Sequence, residues 1–584
     1  MNKSRSIGDD HVKSVFHALE QYYHLRRWPV DNPPGVIETA QFIWDKYPNI
    51  IKIKCKFQYR NPDQQNDLVI TTHEDTVRIN LYYTSKSGNI QPKNPGAKSF
   101  LNTYFKAPEL QYSFNMHLEQ CYSEFLSSML ELKGVDSEEL SDVKKKRALK
   151  ELHPEFTKEN NQPRDSFLYA LKEKCYSLLL ESYNHYTKGF QHAFEMLLML
   201  DETTIITRVK KNGVDVELFR PNLSDYNNIK IYKKGRHAVG IQSGEVGLTL
   251  RFKFESKPYS SIKIATSYEL FKSLDDFESL ILKKNEATLL MANQISESIL
   301  VKPMNNTSNA VGKCNEAFTY YWMLKKFPSA IQADDSDFLN YLKEYLPALP
   351  KNTAQQIKNS SEQTALKIIE YLYKEHPQAR LDGIQLVADI YVNDRLNTGD
   401  IKISIREQHG YLTEVFISLK ALRSTNKKIT TKNPGIGTIL GPTFFNFSEA
   451  LNNELAKQVA QAKHDFEAGI QCDHPSILVQ LSKTVGTMLS TATQVQLRKG
   501  IENLLGKALT IITIYEQNKA YLLKHNKIET DITVYPNSPS DIQQTFIWNN
   551  NSEEISLRVK FSKGQHHGWS SIKFASEYIF IPNK

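Results

Sequence analysis

Hydrophobic and polar positions along the chain switch between two periods. In "IETAQFIWDK" (Ile37 to Lys46) and "SEQTALKIIEYLYK" (Ser361 to Lys374), apolar side chains return at every third and fourth residue, the spacing of one helix face. Each is followed by alternating apolar and polar residues, around Asp67 in "NDLVITT" and around Asp400 in "GDIKISI", which predicts half-buried strands. Long stretches of helical period come next, "SFLYALKEKCYSLLLESYNHYTKGFQHAFEMLLML" and "EALNNELAKQVAQAKHDFEAG". Both series close on period two again, in "LTLRFKF" and "ISLRVKF". Elements mixed in this order predict an α+β fold.

The series is written twice. "VGLTLRFKFESKPYSSIKIATSYELF" (Val246 to Phe271) matches "ISLRVKFSKGQHHGWSSIKFASEYIF" (Ile555 to Phe580), sharing Ser-Ser-Ile-Lys-x-Ala-x-x-Tyr. "IQPKNPGAKSFLNTYF" (Ile90 to Phe105) matches "ITTKNPGIGTILGPTFF" (Ile429 to Phe445) through Lys-Asn-Pro-Gly. "RPNLSD" against "YPNSPSD" and "ETAQFIWDKYP" against "EQTALKIIEYLYKEHP" complete four pairs in one order. A repeat this long is no solenoid unit. It predicts a tandem duplication, residues 1–290 and 291–584, in which two homologous domains form a covalent pseudo-dimer.

Composition adds bounds. A chain of 584 residues exceeds what one hydrophobic core supports. Its apolar runs fall short of the roughly 18 residues of a membrane span, and "MNKSRSIGDDHVKSVFHALEQYY" lacks a signal core, so a soluble cytoplasmic protein without a membrane partner is expected. Five cysteines, Cys55, Cys121, Cys175, Cys314 and Cys472, are odd in number and scattered, which argues against a disulfide framework and a thiolate zinc site. The net charge of +8 is modest, but it gathers in "VKKKRALK", "TRVKKNG", "IYKKGRH" and "STNKKITTK", expected in turns or at element ends where lysines reach phosphates.

Laying the halves over one another singles out polar positions. Glu38 pairs with Glu362, Asp67 with Asp400, Asn80 with Ser418 and Tyr82 with Lys420. Both acids occur twice, whereas only the second half has the lysine. Side chains alternate along a strand, so Ser418 and Lys420 look to one face.

A glutamate on a first helix, Gly-Asp-Ile opening a strand and Ile-Ser-Leu-Lys on the next resembles the PD-(D/E)xK nuclease superfamily, over Ser361 to Phe445. Within it, the pattern is closest in look to type II restriction endonucleases whose Glu-x-Lys is written Ser-x-Lys. The resemblance implies a restriction-endonuclease-like domain, a mixed sheet with flanking helices, that hydrolyses or nicks double-stranded DNA with Mg²⁺ or Mn²⁺. It implies Asp400 and Glu362 as metal ligands helped by the Leu419 carbonyl, Lys420 on the attacking water, and Ser418 where most members carry a carboxylate. Hard cations of this kind select oxygen ligands. Arg423, Lys427, Lys428, Lys432, Lys93, Lys263 and Lys573 are candidate DNA contacts, and the chain is expected to act as a monomeric pseudo-dimer or a homodimer. Ser418 and the missing lysine at Tyr82 keep a rival open, a non-catalytic DNA-binding or interaction protein built from two worn nuclease folds.

Overall fold

In the strand Ile401–Arg406, Ile401, Ile403 and Ile405 are buried and the residues between them are partly exposed, the two-residue period of a strand with one face on a core. The structure, a computed structural model, describes residues 3–579 except 62–65, 86–93, 138–139, 221–228, 272–273, 299–300, 303–306, 334–335, 389–398, 425–427, 471–473, 524–526, 563–568 and 570. Two units emerge, Met1–Leu282 with Gly410–Leu412, and Lys283–His409 with Thr413–Lys584. Among the described residues no helix is long and apolar enough to cross a membrane. Cys55, Cys121, Cys175 and Cys314 are free and buried, and Cys472 lies outside the described residues.

The first unit runs α1 (Lys3–Leu25), α2 (Val36–Lys46), β1 (Ile50–Cys55), β2 (Leu68–Thr72), β3 (Thr76–Ser85), α3 (Phe100–Phe105), α4 (Pro108–Glu131), α5 (Asp142–Leu152), α6 (Asn161–His185), α7 (Thr187–Leu198), β4 (Thr203–Lys210), β5 (Gly213–Leu218), β6 (Lys230–Lys234), β7 (Ala238–Ser243), β8 (Val246–Phe254) and β9 (Ile262–Leu270). Helix α8 (Leu274–Ser298) carries the chain onward. The second unit runs α9 (Ser308–Lys326), β10 (Ile331–Gln332), α10 (Ser336–Tyr345), α11 (Lys351–Glu375), β11 (Arg380–Leu386), β12 (Ile401–Arg406), β13 (Leu412–Leu422), β14 (Lys428–Thr430), α12 (Ile436–Ile439), α13 (Glu449–Glu467), α14 (His474–Ser490), α15 (Gln494–Leu505), β15 (Leu509–Ile514), β16 (Lys519–Leu523), β17 (Thr533–Tyr535), β18 (Gln543–Trp548), β19 (Glu553–Phe561) and β20 (Ile572–Ile579).

Among the described residues each unit holds two sheets. The first has β1-β2-β3-β4-β5 and β6-β7-β8-β9; the second has β10-β11-β12-β13-β15-β16 and β14-β20-β19-β18-β17. In both larger sheets a parallel pair, β3 with β4 or β13 with β15, is joined by helices, as a parallel neighbour requires, and the second sheet has a further parallel pair in β10 with β11. The pairs next along the chain in each unit, β4 with β5 and β15 with β16, are antiparallel hairpins.

Several matched motifs meet the same partners. Thr39 on α2 shares a hydrogen bond with Thr207 on β4 at 2.6 Å, and Thr364 on α11 does so with Thr513 on β15 at 2.7 Å. The Lys-Asn-Pro-Gly turn bridges the Ser-Ser-Ile-Lys strand through Gly96 and Lys263 in one unit, and through Gly435 and Lys573 in the other.

Other expectations need correction. "YPNSPSD" joins β17 to β18, whereas "RPNLSD" lies after β5 and before β6, with residues 221–228 outside the described ones; strand order sets β17 beside β18 as β6 is beside β7, so these two segments do not correspond. "VKKKRALK" (Val143 to Lys150) lies inside α5 rather than in a turn, because Lys145 and Leu149, four apart, bury on one face. Helix α11 starts ten residues earlier than the apolar pattern shows, with Pro350 in extended backbone at its N-cap and Ile357 on the buried face. The long helical run after Ser166 breaks at Tyr186, where φ of −151° ends α6 before α7 begins.

The two buried threonine pairs tie a helix to a sheet with neither hydroxyl exposed to water. Replacing one member, Thr364→Val, strands the other and is expected to cost about 1–3 kcal/mol, whereas Thr364→Val with Thr513→Val recovers most of the loss. Urea unfolding of the two variants checks this; equal losses would show that the bond itself contributes nothing.

Candidate active site

Strand alternation decides which residues can meet. Ile401, Ile403, Ile417, Leu419 and Ile511 enter the core formed with α9 and α11. Asp400, Ser418 and Lys420 are one residue out of step and take the other face, where Ile512, the register partner of Lys420, joins the core formed with α14 and α15.

Asp400 sits at the mouth of β12. Its Oδ2 accepts the Leu419 N–H at 2.6 Å and lies 3.4 Å from the Ser418 hydroxyl. Its own N–H donates to the Ile417 carbonyl at 2.7 Å, and its carbonyl accepts from Val387 at 2.9 Å, so the backbone on both sides is fixed. The N–H and C=O of one strand residue point the same way, so the Leu419 carbonyl also faces Asp400. Beyond it, Ser418 and Lys420 line a small half-open cleft with Thr431, Lys432, Gly506 and Thr510. The structure thus sets Asp400 against Ser418 and brings Ser418, Lys420 and Lys432 to one cleft, whose lining does not include Asp400.

Glu362 is placed elsewhere. Helix α11 packs on the Thr513 side of the sheet, opposite Ile512 and Lys420, and the Glu362 carboxylate lies 3.4 Å from Lys326 of α9. With Thr39 laid on Thr364, Glu38 falls on Gln363 and Glu362 on Ile37, so the two glutamates are one residue out of register. Among the described residues no group of three His, Cys, Asp or Glu stands ready for a metal ion.

The candidate DNA contacts scatter. Arg423 is exposed and bound to Glu516 at 2.6 Å, which raises its already high pKa. Lys428 approaches Glu554 at 3.9 Å, while Lys93 and Lys427 lie outside the described residues. Lys263 and Lys573 stand directly across β-ladders from Lys253 and Lys560. Partial burial, then Lys573 and Arg558, push the Lys560 pKa down.

The first unit builds the same corner and fills it. Asp67 Oδ2 accepts the Leu81 N–H at 2.7 Å, and the Lys56 N–H donates to the Asp67 carbonyl at 3.1 Å, as Val387 does to Asp400. Where the second unit has buried Val387, the Lys56 ammonium reaches Asp67 at 2.9 Å and Asp9 at 2.8 Å. Burial pushes the Asp67 carboxyl above its ordinary range, with the Lys56 charge pulling the other way. Met199, capping α7, puts its sulfur 3.9 Å from Asn80 Nδ2 and 4.0 Å from the Tyr82 hydroxyl, whose pKa burial drives upward. The residue capping α15 is Gly506. Sequence reasoning missed Lys56, Asp9, Met199, Gly506 and Thr510. The change from Tyr82 to Lys420 was the one signal that the two corners differ.

Lys56, Asp9 and Asp67 are largely enclosed, with side chains 17%, 21% and 16% exposed. Lys56→Met takes an ammonium away from two half-buried carboxylates and is expected to destabilise the first unit by about 1–3 kcal/mol, with Asp67→Asn added to it restoring part. Thermal or urea unfolding measures both; an unchanged single variant would mean that water already screens the triad.

No family model matches the chain. A type II restriction enzyme, BsuRI of Bacillus subtilis, is 42% identical to it over 579 residues, with 98% of each chain covered. Identity at that level across nearly the whole of both chains leaves no segment large enough to be a separate acquisition, and the chain belongs to the type II restriction enzymes.

Proposed function

We propose that this protein is a metal-dependent endonuclease of double-stranded DNA and that its second unit performs the hydrolysis. The observation that carries the reading is that Asp400 holds Ser418 and the Leu419 N–H while Ser418 and Lys420 line one cleft, in a chain that is alike, end to end, to a restriction enzyme. The matched corners at Asp67 and Asp400, the paired threonines and the paired turn bridges support a tandem duplication in which the first unit is the non-catalytic copy.

The residues at the cleft suit a hydrated divalent ion only in part. Asp400 offers one carboxylate, whose Oδ1 accepts no hydrogen bond among the described residues, and the Leu419 carbonyl faces it. Mg²⁺ is commonly held by one or two carboxylates together with substrate phosphate and water, so a site completed by the DNA fits this donor set, with Glu362 left out of it. When bound, such an ion supplies polarisation of the phosphate and a lowered pKa for a water molecule.

The chain's own groups do the rest. The Leu419 N–H and Ser418 hydroxyl hold the Asp400 carboxylate in place. Lys420, on the same face, orients the attacking water and offsets the negative charge that builds on the phosphate oxygens. Ser418 cannot take a proton from water as a carboxylate does, so that proton leaves to solvent water while the Lys420 ammonium orients the nucleophile. In the first unit Lys56 stands where a cation would bind Asp67, and Tyr82 offers no amine. With one such centre per chain, the enzyme nicks, or cuts both strands by rebinding or by pairing with a second copy.

Lys420→Ala and Asp400→Ala are each expected to slow plasmid cleavage about a hundredfold or more while DNA retention in a gel-shift assay stays nearly unchanged. Tyr82→Phe leaves the rate alone, and chelator silences the native protein until Mg²⁺ or Mn²⁺ is restored. Cleavage that survives both Lys420→Ala and chelator would move the chemistry to another site. No cleavage of any DNA by the unaltered protein would favour the binding-only fold.

A further inference from the structure

The cleft beside Lys420 has a second cationic wall, and we infer that Lys432 grips the phosphate to be cleaved, as a binding residue distinct from the water-directing Lys420. The inference rests on reading the second unit as the hydrolytic one.

Lys432 reaches the cleft from the Lys-Asn-Pro-Gly turn, a separate part of the chain from β13. That turn is held along β20. The Thr431 N–H donates to the Ser576 carbonyl at 2.9 Å, the Ser576 N–H to the Lys432 carbonyl at 3.0 Å and the Phe574 N–H to the Pro434 carbonyl at 2.8 Å. The Thr431 and Ser576 hydroxyls meet at 2.8 Å, and Gly435 bridges Lys573. A lysine rising from backbone already fixed loses less freedom on binding than one on a loose loop, which favours affinity.

The chemistry of the walls names the ligand. Lys420 and Lys432 bring two ammonium groups to the cleft, while the Ser418 hydroxyl donates to the Asp400 carboxylate and the Thr431 hydroxyl meets that of Ser576. A phosphodiester anion supplies both the negative charge and the oxygens that such donors require.

Gly506 makes the room. Its φ of +82° lies in the region glycine favours, and it leaves no side chain over the cleft. The first unit caps the matching helix with Met199, which reaches Asn80 and Tyr82, the residues in register with Ser418 and Lys420. One fold therefore occurs with a thioether against Asn80 and Tyr82 and with a glycine at the matching cap beside Ser418 and Lys420.

The test uses the full-length protein and a duplex fragment that it cuts, mapped first from a plasmid digest. Binding is followed by fluorescence anisotropy in chelator across a salt series, and cleavage by steady-state kinetics with Mg²⁺. Lys432→Ala is expected to weaken binding about tenfold, the scale of one charge-assisted contact, and to raise KM more than it lowers kcat. The log-affinity against log-salt slope should fall by about 0.9, the share of one phosphate. Lys432→Arg, which keeps the charge, should recover most of the affinity. Gly506→Met should weaken binding to the same degree, and joining it to Lys432→Ala should add little, because both remove one contact. Thermal melts identify variants that fail to fold, and Lys432→Gln then replaces Lys432→Ala. Unchanged affinity and salt slope in a folded Lys432 variant would overturn the inference even if Lys420→Ala is inactive. An active Lys420→Ala would instead sink the catalytic reading and leave the Lys432 binding result to stand by itself.

Discussion

Asp400 takes the backbone N–H of Leu419 on the neighbouring strand at 2.6 Å, and the site follows from that bond. A carboxylate locked onto one particular N–H allows the strands a single register. A slip of one residue would turn Leu419 toward the cleft and drive the Lys420 ammonium into the core beside Ile417 and Ile511, where an unpaired charge is unaffordable. The acid is therefore both a chemical group and the pin that aims its neighbours. Asp67 and Leu81 make the same bond in the first unit.

The two corners differ by a few substitutions around a common frame, and the direction of each change is physical. Lysine at 56 gives a buried carboxylate its counter-ion from within the chain, so the corner is stable without an outside cation. Valine at 387 gives Asp400 none. Methionine at 199 adds dispersion contacts with Asn80 and Tyr82, and glycine at 506 gives them up. A filled corner favours stability, while an emptied one exposes polar groups to an incoming ligand, the exchange expected where binding sites are kept at the expense of packing.

Alternation made the common face of Ser418 and Lys420 legible, because a period of two needs no knowledge of distant residues. Asp67 and Asp400 were legible through the duplicated motifs around them. Glu362 was misjudged because a shared Thr-Ala pair admits two alignments one residue apart, and only the buried bond from Thr364 to Thr513 fixes the register. Lys56 and Gly506 carry no local pattern. Each matters through a partner brought in by the fold, Asp9 from α1 for one and Lys420 from β13 for the other. The "VKKKRALK" run was misread for a different reason: lysine stems cover apolar surface well, so a dense cationic run is compatible with a helix whose one buried lysine packs.

The stitching of Thr431 to Ser576 spans 145 residues of chain. Synthesis runs from the N-terminus, so β12, β13 and the Lys-Asn-Pro-Gly turn all leave the ribosome well before β20 exists to hold that turn. Until the last strand is made and docked, Lys432 has no fixed backbone behind it and the cleft has one wall. Loop-closure entropy makes so distant a pairing one of the slower contacts to form. A nascent or C-terminally clipped chain thereby lacks the support behind Lys432, and the order of translation makes this cleft one of the later parts of the second unit to form.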